Sequence, residues 1–340
     1  MYNRWNWTGT LNRIWLHRDP GIPAGIGRYR RQVLTKVGRT IRTRWTTACL
    51  LPALIVCATP LARAQDSSTA ATGQDVPRIE PDSSSEFLES GFSHLYGLDF
   101  KTARQEFLKY QQVHPEDAMG KAAEAASYLY EEFNAKGVLS SEFFLNDARF
   151  LGGVEGSPTE NRNNQFMQTN HLAREMAKNQ LKSDAHNAHA LLILTMTDGM
   201  ESNYDALIEK KQLAALSMMK QAEAEANTLL AIDPNAKDAY VALGMSNYVI
   251  GCLPGFKKAF LWFGGVHGDR LRGIQLMSEA AEHGHYFRPF AKIMLALAYE
   301  REHQPEHART LLAELTTQFP TNPHYSEELA IATQRTQQSR

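Results

Sequence analysis

The chain is 340 residues long and nearly neutral, with 36 basic and 37 acidic side chains. The balance is uneven: residues 1–64 hold eleven Lys and Arg against one acid, which leaves the following 276 residues at net −11. That charge excludes the basic footprint of a nucleic-acid binder or of a protein drawn to anionic lipid.

The first element in chain order is a leader. Thr46 to Ala58 is apolar through Leu50, Leu51, Leu54, Ile55 and Val56. It is too short to span a bilayer comfortably and fits the apolar region of a secretory signal. Arg39, Arg42 and Arg44 precede it, Pro60 breaks the helix near its end, and Ala62-Arg63-Ala64 offers a small-x-small cleavage site. The expectation is export to the periplasm or cell envelope, with cleavage after Ala64 and a mature start at Gln65. Two routes fit. Arg30-Arg31-Gln32-Val33-Leu34 with Lys36 resembles a twin-arginine signal, although Tyr29 replaces the usual serine and the segment before the pair is long. General secretion is the favoured route, with the pair incidental, as it would be with a downstream translation start. Leu54-Ile55-Val56-Cys57 approximates a lipoprotein box with Val56 where a small residue is needed. An uncleaved leader would act as a single membrane anchor and so allow membrane contact.

Residues 65–84 are rich in Ser, Thr, Asp and Pro and read as a disordered linker. Two of the three cysteines, Cys49 and Cys57, precede it. Cys252 therefore stands alone in the folded part, which must be stabilised by packing without a disulfide. From Ser85 to 338 the pattern is helical throughout. A helix pair covers 85–117, and Lys121 to Phe133 forms the next helix with Tyr128, Leu129 and Phe133 on one stripe. Leu139 to Leu151 is a short helix bearing Phe143, Phe144, Leu145 and Phe150; Gly152 to Asn164 is a loop, and a long helix follows over 165–182.

Two decorated units come next. Thr195 and Ala222 are 27 apart, about 15 more than a plain unit has, and Gly244 and Gly273 show a similar excess at 29. A plain unit over 289–322 and a polar closing helix over 323–337 end the pattern.

The spacing carries a family resemblance. Phe87, Gly91, Phe100, Ala103, Phe107, Tyr110 and Pro115 stand at the offsets of a helix-turn-helix repeat of about 34 residues. Ala239-Tyr240-Val241-Ala242-Leu243-Gly244 repeats the opening half, and Leu295, Ala296, Tyr299, Ala308, Leu312, Leu315 and Pro320 repeat the whole. The chain thus resembles the tetratricopeptide repeat (TPR) family over 85–117 and 289–322, matches at key offsets over 188–284, and matches poorly over 118–187. The resemblance implies an all-α, TPR-like helix-turn-helix solenoid with two insertion-bearing middle repeats. It also implies a non-enzymatic scaffold for a protein or peptide partner, without cofactor. The alternative is a ligand-capturing subunit of an envelope transport or assembly complex.

In such repeats the first helices line a groove. The corresponding positions are Leu88, Phe92 and Leu95; Val241, Met245 and Tyr248; and Phe290, Ile293 and Leu297. Family members that grip chaperone tails use Lys, Asn and Arg there, so that ligand class does not fit. The apolar lining suits either an amphipathic helix from a partner or inserted helices folding back to fill the groove. Within the second insertion, Phe260, Trp262 and Phe263 beside Lys257 and Lys258 read as a docking knob, an interfacial membrane helix or core packing.

Catalytic and metal patterns are thin. His267, His283, His285, His303 and His307 cluster late, but Pro305 separates His303 from His307 and no His-Glu-x-x-His spacing occurs. There is no Gly-x-Ser-x-Gly elbow and no phosphate-cradling loop. Cys252 among apolar neighbours reads as inert packing. Asp198 with Glu201, and Glu300 with Glu302 and Glu306, read as charges on exposed helix faces. A metal-dependent enzyme would have to be assembled from the irregular 134–187 region and the histidines.

Overall fold

The computed structural model describes residues 85–255, 258, 261 and 266–338. The leader, the linker 65–84 and the insertion residues Phe260, Trp262 and Phe263 lie outside the described residues. Among the described residues there are thirteen α-helices and no strand. None of these helices is long and apolar enough to cross a membrane.

The first pair is α1 (Ser85–Tyr96) and α2 (Phe100–Val113). Their close approach explains the small-then-large spacing: a Cβ on Gly91 would lie 2.3 Å from the Phe107 ring. Asp99 starts α2 by accepting from Thr102 N–H at 3.1 Å, and Asp117 starts α3 (Ala118–Ala135) by accepting from Met119 N–H at 2.8 Å. Between α3 and its partner α6 (Glu160–Ser183) come two short helices, α4 (Ser141–Leu145) and α5 (Asp147–Gly152). The single helix expected over 139–151 is broken at Asn146, whose side chain caps α5 through Ala148 and Arg149 N–H at 3.0 and 3.2 Å. The loop is correspondingly shorter than expected, because α6 begins at Glu160.

The decorated pair is α7 (Ala188–Leu207) with α8 (Gln212–Ile232). These helices have 20 and 21 residues where α1 and α2 have 12 and 14. The inserted residues therefore lengthen both arms of the hairpin and add no separate helix. A 3-10 turn (Lys237–Ala239) leads into α9 (Tyr240–Cys252), which pairs with α10 (Arg270–His283). Here the helices have 13 and 14 residues, so the excess lies between them, over 253–269. The last pair, α11 (Arg288–Arg301) and α12 (Pro305–Gln318), is followed by the closing helix α13 (Pro323–Gln338).

The first helices of successive pairs, α1, α3, α7, α9 and α11, touch in order and form an inner layer. The second helices pack outside them, each against its own partner and the next first helix. This two-layer arrangement of adjacent pairs is TPR-like. Unlike an open array, it closes on itself. Tyr96 Oη donates to Tyr286 O at 3.0 Å, and Asn322 Nδ2 donates to Tyr96 O at 2.9 Å. Phe92 stacks on Tyr286 with ring centres 5.0 Å apart, and Tyr130 meets Phe290 edge-on at 6.1 Å. Aromatic side chains of the first two pairs thus pack against those at the start of the last pair.

Candidate partner-binding face

All nine inner-layer positions singled out in the sequence belong to one apolar cluster or pack against it. Leu88, Phe92, Leu95 and Tyr248 are buried, while Val241, Met245, Phe290, Ile293 and Leu297 are half-buried. The structure brings them into one layer, and four of them have a cover: Phe92, Met245, Tyr248 and Leu297.

Two things fill the space. Closure sets Tyr286 and Phe287 against Phe92. The α4–α5 segment covers three more positions: Phe144 and Phe150 converge with Met245, Tyr248 and Leu297, and with Met294. They leave a void of about 10 Å³, room for one water. Among the described residues the cover comes from the short helices of the second pair. Three phenylalanines in eight residues, on elements too short to carry an amphipathic face alone, were the available signal.

One cation holds this cover. Arg301, at the end of α11, donates to Phe144 O, pairs with Asp147 at 2.6 Å, and sits 4.8 Å from the centre of the Phe150 ring. Ser141 N–H donates to Glu328 on α13 at 2.8 Å, and Val154 N–H to Leu207 O at 2.8 Å. Beside Arg301, Tyr248 Oη reaches Glu302 at 3.2 Å, and Arg270 pairs with Glu302 at 3.0 Å. Burial pushes the Cys252 thiol up, against the pull of Arg301, so the sulfur is held as a thiol and not as a nucleophilic thiolate.

Among the described residues no group of three His, Cys, Asp or Glu side chains is placed to hold a metal ion. His285 pairs with Glu89 at 2.6 Å, and His307 stacks on Tyr299 at 4.9 Å. On the outer side, α10, α11 and α12 border an open groove of about 390 Å³. Its walls include Glu282, Arg288, Lys292, Tyr299 and Glu314, with Lys292 and Glu314 paired at 2.6 Å.

Of the carboxylates read as exposed only Glu306 is; Glu201 and Glu302 are half-buried, and Glu300 and Asp198 are buried. Glu300 is buried and paired with Arg335. Asp198, on α7, is fully buried against Arg174 of α6 at 2.6 Å, and the same guanidinium holds Glu201 at 2.9 Å. Glu225 of α8 faces this group, and burial together with the charge of Asp198 pushes its carboxyl up to about 8. A raised carboxyl binds its proton more tightly in the folded chain, so the stability it lends is complete below 4.5 and is lost as pH rises to about 8. Glu225→Gln should therefore flatten the pH profile of urea unfolding over that window. Because Glu225 is only half-buried, solvent screening limits the gain at pH 8.5 to about 1–2 kcal/mol. An unchanged slope between the two pH values would show that Glu225 ionises normally.

No family model matches this sequence, and no curated protein matches it. Among solved structures the chain is similar to a thermophilic TPR protein from Thermus thermophilus, at 14% identity and a TM-score of 0.39. The match covers 74% of this chain and 98% of that one.

Proposed function

We propose that this chain is an exported, non-enzymatic helical-repeat scaffold that binds a protein or peptide partner in the periplasm or cell envelope. The observation that carries the reading is the inner layer itself. Repeat layers present this face to extended or helical segments, and here it already seats a short aromatic segment of its own chain. The apolar stretch Thr46 to Ala58 followed by Ala62-Arg63-Ala64 supports the export half of the reading. The inner-face void of about 10 Å³ makes capture of a hydrophobic small molecule the weaker alternative, since ligand pockets run to a few hundred Å³.

The export half is tested by expressing the full chain and sequencing the N-terminus of the accumulated product. Gln65 as first residue in an envelope fraction is the expected result; an intact leader in the cytoplasm would refute export. The binding half is tested by affinity co-purification from an envelope extract with identification by mass spectrometry. A protein enriched over a matched control should then bind the purified chain directly. Failure to enrich any direct binder would refute the scaffold reading.

A further inference from the structure

We infer that the α4–α5 segment is a displaceable internal ligand, and that the partner's segment takes its place with the same chemistry. The inference rests on the scaffold reading above and names what that scaffold recognises.

Helices of five and six residues do not hold themselves together in water, so α4 and α5 exist only because of what they lie on. The segment is one-sided. Phe143, Phe144 and Phe150 point into the molecule, while Glu142, Asn146, Asp147 and Ala148 are exposed. Its anchors belong to elements far away in sequence: Arg301 on α11 takes Phe144 O and Asp147, and Glu328 on α13 takes Ser141 N–H.

Glycines bound it on both sides. Gly137 has φ +68° and Gly156 has φ +82°, and a Cβ on either would meet nothing within 4 Å. These two turns lie in open space, but just inside them Val138 and Val154 are buried and Val154 N–H donates to Leu207 O at 2.8 Å, so opening the segment frees those two contacts along with its aromatic seat. What it covers is Met245, Tyr248 and Leu297, the inner-layer positions that repeat spacing sets toward a partner.

The segment's own chemistry defines the partner. Two aromatic side chains six positions apart fill the apolar seat, and a carboxylate between them takes the Arg301 guanidinium. The fitting ligand is a short amphipathic protein segment with that acid-between-aromatics pattern. The covalent copy competes at an effective concentration in the millimolar range, so free wild-type chain should look closed.

The probe is a fluorescent peptide with the sequence of residues 139–152, titrated into the full chain and followed by anisotropy. The Phe144→Ser, Phe150→Ser chain, without the two aromatic side chains that fill its own seat, should bind the peptide about tenfold or more tighter than wild type does. A peptide carrying the same two substitutions should not bind. A folded double variant that binds no better than wild type overturns the inference. Hydrogen exchange on the wild-type chain decides the matter should the variant fail to fold. Amides of 141–152 should exchange about a hundredfold or more faster than those of α3 and α11, as in local opening. Exchange only at the rate of global unfolding would make the segment ordinary core and overturn it. Both readouts use this chain alone, so they succeed or fail independently of the co-purification.

Discussion

Gly273→Ala is expected to lower stability by about 2–3 kcal/mol, while the same substitution at Gly199 raises it by about 0.5–1 kcal/mol. Both glycines lie inside helices, α10 and α7, where alanine is the better helix former. The difference is space. A Cβ on Gly273 would lie 2.6 Å from Tyr248 N and 2.8 Å from its Cα, backbone atoms of α9 that cannot rotate away. α9 and α10 would have to part, straining Tyr248's hydrogen bonds to Ala298 O and Glu302 at 3.3 and 3.2 Å. Around Gly199 nothing lies within 4 Å of the added carbon, so only the backbone gain remains. For a domain of this size the loss corresponds to roughly 5–10 °C in Tm by calorimetry. Equal Tm shifts in the two variants would show that α9 and α10 do not approach at this point.

Asp238→Ala should cost about 3 kcal/mol in urea unfolding, with Asp238→Asn falling between it and wild type. The carboxylate sits in the 3-10 turn before α9 and is buried. One oxygen accepts from His285 and Phe287 N–H at 2.8 and 3.2 Å, the other from Tyr286 N–H at 3.1 Å. These donors lead into α11, so one repeat caps the entry to the next. Alanine leaves three main-chain donors without their acceptor in a place water does not readily reach. Asparagine keeps the oxygen that serves two of them and loses the third. Equal stability of all three proteins would mean that water replaces the carboxylate there.

How far the sequence could be read depended on the range of each constraint. Gly91 with Phe107 and Gly244 with Met277 meet across a single hairpin, so their spacing along the chain records the contact directly. That is why the all-α repeat pattern and the shared face of Phe92, Met245 and Leu297 were legible. What lies opposite that face was not. The meeting of Phe92 with Tyr286 depends on small rotations accumulated over several repeats, which no local spacing fixes. Asp198 and Glu201 look like ordinary helix-surface charges, because the partner that buries Asp198, Arg174, comes from the preceding helix. The destination of Phe144 and Phe150 was hidden for the same reason: Arg301, which fixes it, is about 150 positions away.

Closure of the inner layer also bears on how the chain folds. An open array can start at any repeat and spread to its neighbours, and can fray from either end. Here the bonds that join the ends span 190 residues between Tyr96 and Tyr286 and 226 between Tyr96 and Asn322. Contacts of that range raise contact order and slow the final step. During synthesis the aromatic side of α1 emerges long before its cover exists, an interval in which it is prone to stick elsewhere. The two ends work as a clasp: losing the contacts of Tyr286 and Asn322 would unfasten α1, and the folded repeats should melt as one body.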